Sequence, residues 1–272
     1  MSSLRKAIKS VRYAVSNLRY ECQKQESATG FPVWFGLDET VSKLASGVVS
    51  ISRFGDGEFL LLNGIGLDFQ DSNPLLAQRL KEVLVSNVKD HLIGIPNYFF
   101  SLREYPCEMK KYLREFLYDY RECILRDLDM SKSYYDTNVS QYYATSDDVQ
   151  WLEKYFHNLR KIWNEKNILI VKGEHSETDQ VHNFYDNANS MEFCYAPSRN
   201  AFSQYEKIYL NIKKQVGERM VILALGPTAT LLAYDLSKEG HVAMDLGHLA
   251  KSYDWFKRNK AVSKENEPFF PV

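Results

Sequence analysis

This 272-residue sequence lacks the features that mark secreted, membrane-spanning or nucleic-acid-binding proteins. Its four cysteines form no C-x-x-C pair, so we expect neither a zinc knuckle nor a disulfide framework. No apolar run approaches the ~20 residues of a membrane span, and Arg5, Lys6 and Lys9 interrupt any signal-peptide core. The formal net charge of −1 argues against a nucleic-acid partner. We therefore predict a cytoplasmic protein with reduced thiols.

Two nucleotide-binding fingerprints are also missing from the sequence. There is no G-x-x-x-x-G-K-[ST] loop and no G-x-G-x-x-G turn, which disfavours an ATPase and a standard NAD site. What is present is ordinary for a globular protein, with 44% hydrophobic and 25% charged residues. The 18 tyrosines suit a surface that faces sugars or peptides, but tyrosine also packs at the edge of a core.

Short apolar runs alternate with helical patterns along the chain. The runs that predict buried strands are residues 48–52, 92–95, 168–171, 193–196, 220–225 and 242–246. This alternation predicts an α/β fold, with a Rossmann-like, mostly parallel sheet and helices on both faces.

We predict three parts: an N-terminal helix and connector (residues 1–34), the main domain (35–262) and a polar tail (263–272). The helix is amphipathic, because its apolar residues recur at helical spacing. These residues are Leu4, Ile8, Val11, Val15 and Leu18. The narrow stripe favours docking on the domain or on a second subunit over a basic helix on a membrane surface.

The stretch SRFGDGEF, which begins at Ser52, combines a cation, two glycines and two carboxylates. Gly55 and Gly57 free the backbone to turn and to approach a ligand. Asp56 and Glu58, on a predicted loop, can both face a hard divalent cation. Arg53 can bind a phosphate from the side. The alternative is a solvated turn whose carboxylates cap a helix and pair with the arginine, but its place after a buried strand favours a site.

A second glycine-containing turn, Gly226-Pro227-Thr228, opens a helix directly after a strand. Free backbone N–H groups, the helix dipole and the Thr228 hydroxyl favour an anion there. The alternative is an ordinary capped turn.

Two more strands end in polar residues. Glu174 and His175 are candidates for a general base, although Glu174 can instead pair with Lys172. His248 can be a third metal ligand or contact a phosphate, or it can be a half-buried structural histidine. In a parallel sheet, all of these strand ends share one edge.

Two aromatic segments remain. The predicted helix over residues 106–128 carries an aromatic stripe, including Tyr112, that we assign to the core. Residues 133–145 are polar and aromatic and can form a substrate-facing loop. Its relevant residues are Tyr134, Tyr135, Asn138, Tyr142 and Tyr143.

Three segments together resemble the GT-D-type bacterial glycosyltransferases. They are SRFGDGEF, ALGPTATLLAYDL and MDLGHLAKSYDWF, which occur in the family's order, and the resemblance covers about residues 35–260. It implies a Rossmann-like sheet, a UDP-sugar donor and a divalent metal, Mn²⁺ by preference or Mg²⁺. It also implies that Asp56 and Glu58 serve the metal and diphosphate.

The same resemblance implies roles for later residues. Gly226, Pro227 and Thr228 would lie near the donor, Asp245 and His248 on the family's Asp-x-Gly-His segment, and Asn200 of PSRNAF would touch the nucleotide.

The expected activity is metal-dependent transfer of a hexose, such as glucose, from a UDP-sugar to a glycan hydroxyl on a bacterial surface glycoprotein. The alternatives are another nucleotide-dependent transferase and a non-catalytic nucleotide- or sugar-binding module. The N-terminal helix is the expected contact with a second copy or a partner glycosyltransferase.

Overall fold

The computed structural model describes residues 2–26, 30–103, 105, 107–141, 148–174, 182–247 and 249–257. The helices are α1 Ser2–Glu26, α2 Leu37–Ala45, α3 Asp56–Leu62, α4 Pro74–Leu84, α5 Cys107–Asp127, α6 Val149–Arg160, α7 Tyr205–Val216, α8 Pro227–Lys238 and α9 Leu249–Lys257. The strands are β1 Val33–Phe35, β2 Ser50–Arg53, β3 His91–Ile95, β4 Ser133–Asp136, β5 Asn167–Gly173, β6 Ser190–Ala196, β7 Met220–Ala224 and β8 Ala243–Asp245.

These strands form one parallel sheet. In the described part of the chain it has eight strands, in the order β1-β4-β3-β2-β8-β7-β5-β6, and each neighbouring pair is parallel. Strands such as β3 are buried along their whole length, as expected where helices cover both faces. The predicted α/β fold class is confirmed.

Each face of the sheet carries its own apolar core. One includes Phe59 of α3, Leu80 of α4, Phe116 of α5, Ile212 of α7 and Leu231 of α8. The other includes Leu44 of α2, Phe156 of α6 and Leu249 of α9. The side chains of adjacent β7 residues alternate between them, with Val221 in the first core and Ile222 in the second. The helices therefore fix the sheet from both sides and leave its strand ends for other contacts.

Two predictions about the edge of the sheet that β1 and β4 form are wrong. The end of the predicted N-terminal connector, where it meets the main domain, is strand β1, which pairs with β4. The predicted substrate-facing loop begins as that same β4, where Tyr134 and Tyr135 are buried, and Asn138 in the following turn is buried too. These three residues serve the core and cannot face a substrate. Tyr142 and Tyr143 lie outside the described residues.

Helix α1 docks on the domain, but through the side opposite to its apolar stripe. Arg19 donates to Glu122 of α5 at 2.7 Å, Arg12 pairs with Asp119, and Ser16 and Tyr20 are buried. The predicted stripe is exposed instead: Ile8 59%, Val11 64%, Val15 46% and Leu18 72%. The apolar spacing predicted the helix correctly. Docking of the stripe on the domain is wrong, and its docking on a second subunit stays a prediction.

No helix in the described part of the chain is both long and apolar enough to cross a bilayer. Among the described residues, Cys22, Cys123 and Cys194 form no disulfide.

The first testable prediction concerns Phe59, which anchors α3 to the core. Its ring is fully buried and lies 5.5 Å from the ring of Phe99, edge to face. We expect Phe59→Ala to lower the free energy of unfolding by about 3–5 kcal/mol, because it removes apolar contacts and leaves a cavity. Urea denaturation measures this, with Phe59→Leu losing less. Leu75→Ala, at a position 56% exposed, is the control, and equal losses in both alanine variants would contradict the packing argument.

Candidate active site

Four of the predicted strand ends lie side by side. Strands β2, β8, β7 and β5 are consecutive in the sheet, and all run parallel. Their carboxyl ends therefore share one edge, as the sequence predicted. From β2 the chain continues outward to β3 and β4, whereas β5 to β8 fill the other side. Open α/β sheets bind ligands where the strand order reverses in this way.

The two carboxylates after β2 lie on a helix, so the predicted loop is wrong. Gly55 is the N-cap of α3, Asp56 its first residue and Glu58 its third. Residues two apart on a helix do not face each other. Glu58 instead folds back over the helix start, where its Oε2 accepts a hydrogen bond from the Gly55 N–H at 2.8 Å. The capping alternative is thus correct for Glu58, in a partly buried setting.

Burial raises the pKa of both carboxyls. It raises the pKa of Glu58 to about 7, and the nearby charge of Asp245 acts in the same direction. It also raises the pKa of Asp56, although a hydrogen bond from the Tyr112 hydroxyl at 2.5 Å partly offsets this effect. Tyr98 is buried close to both carboxyls. Burial raises the pKa of its hydroxyl, and the nearby charges of Asp56 and Glu58 raise it further. The local protein groups leave both charges incompletely neutralised.

Arg53 is engaged by the protein itself. Its Nε donates to the Asp245 carbonyl at 2.6 Å and its Nη2 to Asp245 Oδ1 at 3.1 Å. Its Nη1 donates to the Thr137 carbonyl at 3.2 Å and to Ser140 Oγ at 2.6 Å. Four of the five guanidinium N–H groups are thereby used. Phosphate binding by Arg53 stays a prediction that depends on the fifth.

The start of α8 has the features of an anion site. Gly226 has φ +53°, which favours glycine, and precedes Pro227 at the first helical position. Thr228 is fully buried, and its Oγ1 has no hydrogen-bond partner among the described residues. Pro227 has no N–H, and the Ala229 N–H donates to the Gly226 carbonyl at 2.8 Å, which leaves the Thr228 N–H and hydroxyl as the groups at this turn that an anion can engage. The phosphate role of this turn stays a prediction, which the buried Thr228 hydroxyl supports.

The remaining predicted residues are placed differently. Glu174 ends β5 with an exposed side chain, in keeping with a role at the surface of the site. Asn200 uses both ends of its amide on Asp71: its Oδ1 accepts from the Asp71 N–H at 2.6 Å, and its Nδ2 donates to Asp71 Oδ2 at 2.7 Å. The Asn200 amide thus has a structural role in the protein, and its direct contact with a nucleotide stays a prediction. His175 and His248 lie outside the described residues.

Sequence reasoning missed Tyr112, which it assigned to the core stripe of α5. The hydroxyl contacts Asp56 across 56 residues of sequence, and helical spacing carries no signal for such a contact.

Asp56 and Glu58 fit a divalent cation that is shared with a substrate. They offer hard oxygen atoms, and burial, which raises both pKa values, disfavours their charged forms unless a cation lies beside them. Across the described ranges, no group of three or more His, Cys, Asp and Glu side chains could hold a metal ion. The cation would therefore need further oxygen atoms from substrate phosphates or water, as Mg²⁺ usually does. His248 as a third ligand stays a prediction.

The second testable prediction uses Glu58→Gln, which keeps a side chain able to cap α3. The carboxyl has a pKa of about 7 when folded, above its ordinary value of 4.5. The folded state therefore gains from proton binding below pH 4.5 and loses this contribution as the pH rises to about 7. Without divalent cations, we expect the stability of the variant relative to wild type to rise over this range, by on the order of 1–3 kcal/mol.

Urea unfolding at a series of pH values measures this difference. Glu39→Gln is the matched control, because Glu39 is likewise the third residue of a helix that follows a glycine N-cap but is exposed. A difference between Glu58→Gln and wild type that does not vary with pH would contradict the prediction.

Comparison with known proteins identifies relatives in streptococci. "Probable glycosyl transferase Gly" of Streptococcus gordonii is 33% identical over 226 residues, which are 81% of this chain and 32% of that protein. "Glycosyltransferase GlyD" of Streptococcus pneumoniae serotype 4 (strain ATCC BAA-334 / TIGR4) is 29% identical over 223 residues, which are 82% of this chain and 27% of that protein. The chain thus spans about a third or less of the length of these curated relatives.

The fold also matches a solved structure described as "The highly conserved domain of unknown function 1792 has a distinct glycosyltransferase fold". The TM-score is 0.79 at 29% sequence identity, covering 84% of this chain and 82% of that chain. Residues 51–267 match the family described as Glycosyltransferase GT-D fold, and this range contains all three segments that carried the resemblance. This chain is therefore a member of the GT-D glycosyltransferase-fold family.

Proposed function

We propose that the chain transfers a hexose, with glucose as the first candidate, from a UDP-sugar to a hydroxyl of a growing glycan on a bacterial surface glycoprotein. The observation that carries this proposal is the adjacency of β2 and β7 through β8. It brings the carboxylates of α3 and the open start of α8 to the same edge of the sheet. Family membership supports glycosyl transfer, and the donor, metal and acceptor are the finer part of the proposal.

Each group has a physical role in this proposal. The Thr228 N–H and hydroxyl bind the diphosphate, whose charge the helix dipole favours. Asp56 and Glu58 hold the divalent cation, Mn²⁺ by preference, which supplies positive charge to the diphosphate as it leaves. Glu174, exposed at the end of β5, accepts the proton of the acceptor hydroxyl.

Two alternatives share the same geometry. Another nucleotide-dependent transferase would use the same carboxylates and phosphate turn, and release of UDP from a UDP-sugar separates it from our proposal. A non-catalytic nucleotide- or sugar-binding module would bind without turnover, and metal-dependent hydrolysis of the donor alone excludes it.

The cytoplasmic location is likewise a proposal, based on the separated free cysteines.

The third testable prediction concerns binding of UDP, measured by calorimetry with and without Mn²⁺. We expect wild type to bind UDP more tightly with Mn²⁺, and the double variant Asp56→Asn, Glu58→Gln to lose this metal dependence. The amides keep the size and much of the hydrogen bonding of the carboxylates but remove the charge that holds a cation.

The matched control is Asp38→Asn, Glu39→Gln, which changes two exposed carboxylates in the first turn of α2. It should behave like wild type. If wild type binds no UDP under either condition, the UDP-sugar donor is wrong. If the Asp56, Glu58 variant keeps the full effect of Mn²⁺, the metal assignment is wrong.

We also propose that the exposed side of α1 joins the chain to a second copy, with a partner glycosyltransferase as the alternative. Ile8, Val11, Val15 and Leu18 alternate three- and four-residue steps, the spacing of a coiled-coil seam. They face away from the buried Ser16 and Tyr20, about 140° around the helix. Identical helices can pack such seams against each other.

The fourth testable prediction is therefore that light scattering shows a dimer that dissociates more readily in the variant Val11→Ser, Leu18→Ser. The control is Leu210→Ser on α7, at a position 55% exposed. A wild type that is monomeric at all concentrations would overturn association with a second copy.

A further inference from the structure

The loop between α3 and α4, residues 63–73, packs on both glycine motifs of the site. A Cβ added to Gly57 would lie 3.1 Å from Leu67 Cδ1, and one added to Gly226 would lie 2.8 Å from Phe69 Cε2. The loop therefore covers the first turn of α3 with one side chain and the start of α8 with another. The second distance is shorter than real Cβ contacts allow, so the ring lies directly on the Gly226 backbone.

The α3–α4 loop is fixed in this position by many hydrogen bonds. Within it, the Leu67 N–H donates to the Gln70 carbonyl at 2.8 Å. Across to the 199–202 segment, the Asn200 N–H donates to the Phe69 carbonyl at 2.8 Å, and the Asn200 amide binds Asp71 through both of its ends. Asn200 has φ +50°, a conformation that asparagine adopts more readily than most residues. The loop is thus held in place by groups of the protein itself.

Phe69 is 47% exposed in this rigid setting. An aromatic side chain normally buries most of its area, whereas this ring rests on the Gly226 backbone and keeps much of its surface open. Its neighbour is the start of α8, where Thr228 Oγ1 is buried with no hydrogen-bond partner among the residues described. An open aromatic surface beside an anion site is the combination that a nucleotide requires, because its base stacks and its phosphates accept hydrogen bonds.

We propose that Phe69 is the platform on which the base of the donor nucleotide stacks, and that Asn200 positions this platform through the α3–α4 loop. The inference rests on the proposed function, because it takes the diphosphate to lie at the start of α8. One ribose separates the base from the diphosphate, so the base lies beside the helix start rather than on it. The position that Phe69 occupies, against the N-cap glycine of α8, matches this requirement.

The fifth testable prediction compares two ligands, UDP and inorganic pyrophosphate, each measured by calorimetry with Mn²⁺. Phe69→Ala should weaken UDP binding by about 5- to 150-fold, the range that corresponds to one stacked base. Pyrophosphate has no base, so its affinity should not change. Phe69→Trp should retain UDP binding. Ile65→Ala, 39% exposed in the same loop, is the matched control and should leave both affinities unchanged.

A double-mutant cycle tests the positioning role of Asn200. Asn200→Gly removes the amide and keeps the backbone conformation accessible. If Asn200 acts through Phe69, the single variant weakens UDP binding, and the double variant Phe69→Ala, Asn200→Gly binds UDP no more weakly than Phe69→Ala alone. Additive losses would show that Asn200 acts independently and would overturn its positioning role.

The outcomes separate this inference from the proposed function. If Phe69→Ala binds UDP as wild type does, or loses UDP and pyrophosphate affinity equally, the stacking platform is wrong and the donor proposal stands. If wild type binds pyrophosphate but not UDP, the nucleotide donor itself is wrong. If wild type binds neither ligand, the anion site and both proposals fall together.

Discussion

The buried ion pair between Arg53 and Asp245 joins the two halves of the sheet. The register between β2 and β8 contains one residue pair, Ile51 with Met244, so the backbone ladder at this junction is short. The Arg53 side chain extends it by binding both the carbonyl and the carboxylate of Asp245. Thr230 of α8 adds a hydrogen bond to the Arg53 carbonyl at 3.0 Å. The junction of the halves is therefore held by side chains, at the edge where the candidate site lies.

This arrangement determines the charge of the site. Because Arg53 is largely engaged by Asp245 and by the turn after β4, Glu58 is left with less compensation than a lone arginine would give it. The charge of Asp245 raises the pKa of Glu58 more than Arg53 lowers it. The engagement of Arg53 at the junction therefore supports the proposal of a divalent ion beside the carboxylates.

The sequence was sufficient for six of the eight described strands and for the shared edge of the sheet, because β-branched runs followed by glycine and polar residues are local signals. It was insufficient where contacts between residues far apart in the sequence determine whether a strand forms, which side of a helix is buried or where a helix begins. Strand β1 has three residues and exists by pairing with β4. The side of α1 that the domain buries carries Ser16 and Tyr20, and Tyr20 packs in the core beneath α5, a contact that the apolar spacing does not signal. The start of α3 at Asp56 depends on Glu58 folding back to a glycine N-cap, which lacks the side chain of a usual capping signal.

The two glycine motifs illustrate the difference between a local and a spatial explanation. From the sequence, Gly57 and Gly226 appear to allow the backbone to approach a ligand. In the fold, the space beside each is filled by Leu67 and Phe69 of the α3–α4 loop. For Gly226 the absent side chain makes room for the Phe69 ring, and its φ of +53° would strain any other residue. Glycine at position 226 therefore satisfies a turn and an aromatic contact together, and only the contact relates the helix start to a part of the chain more than 150 residues away in sequence.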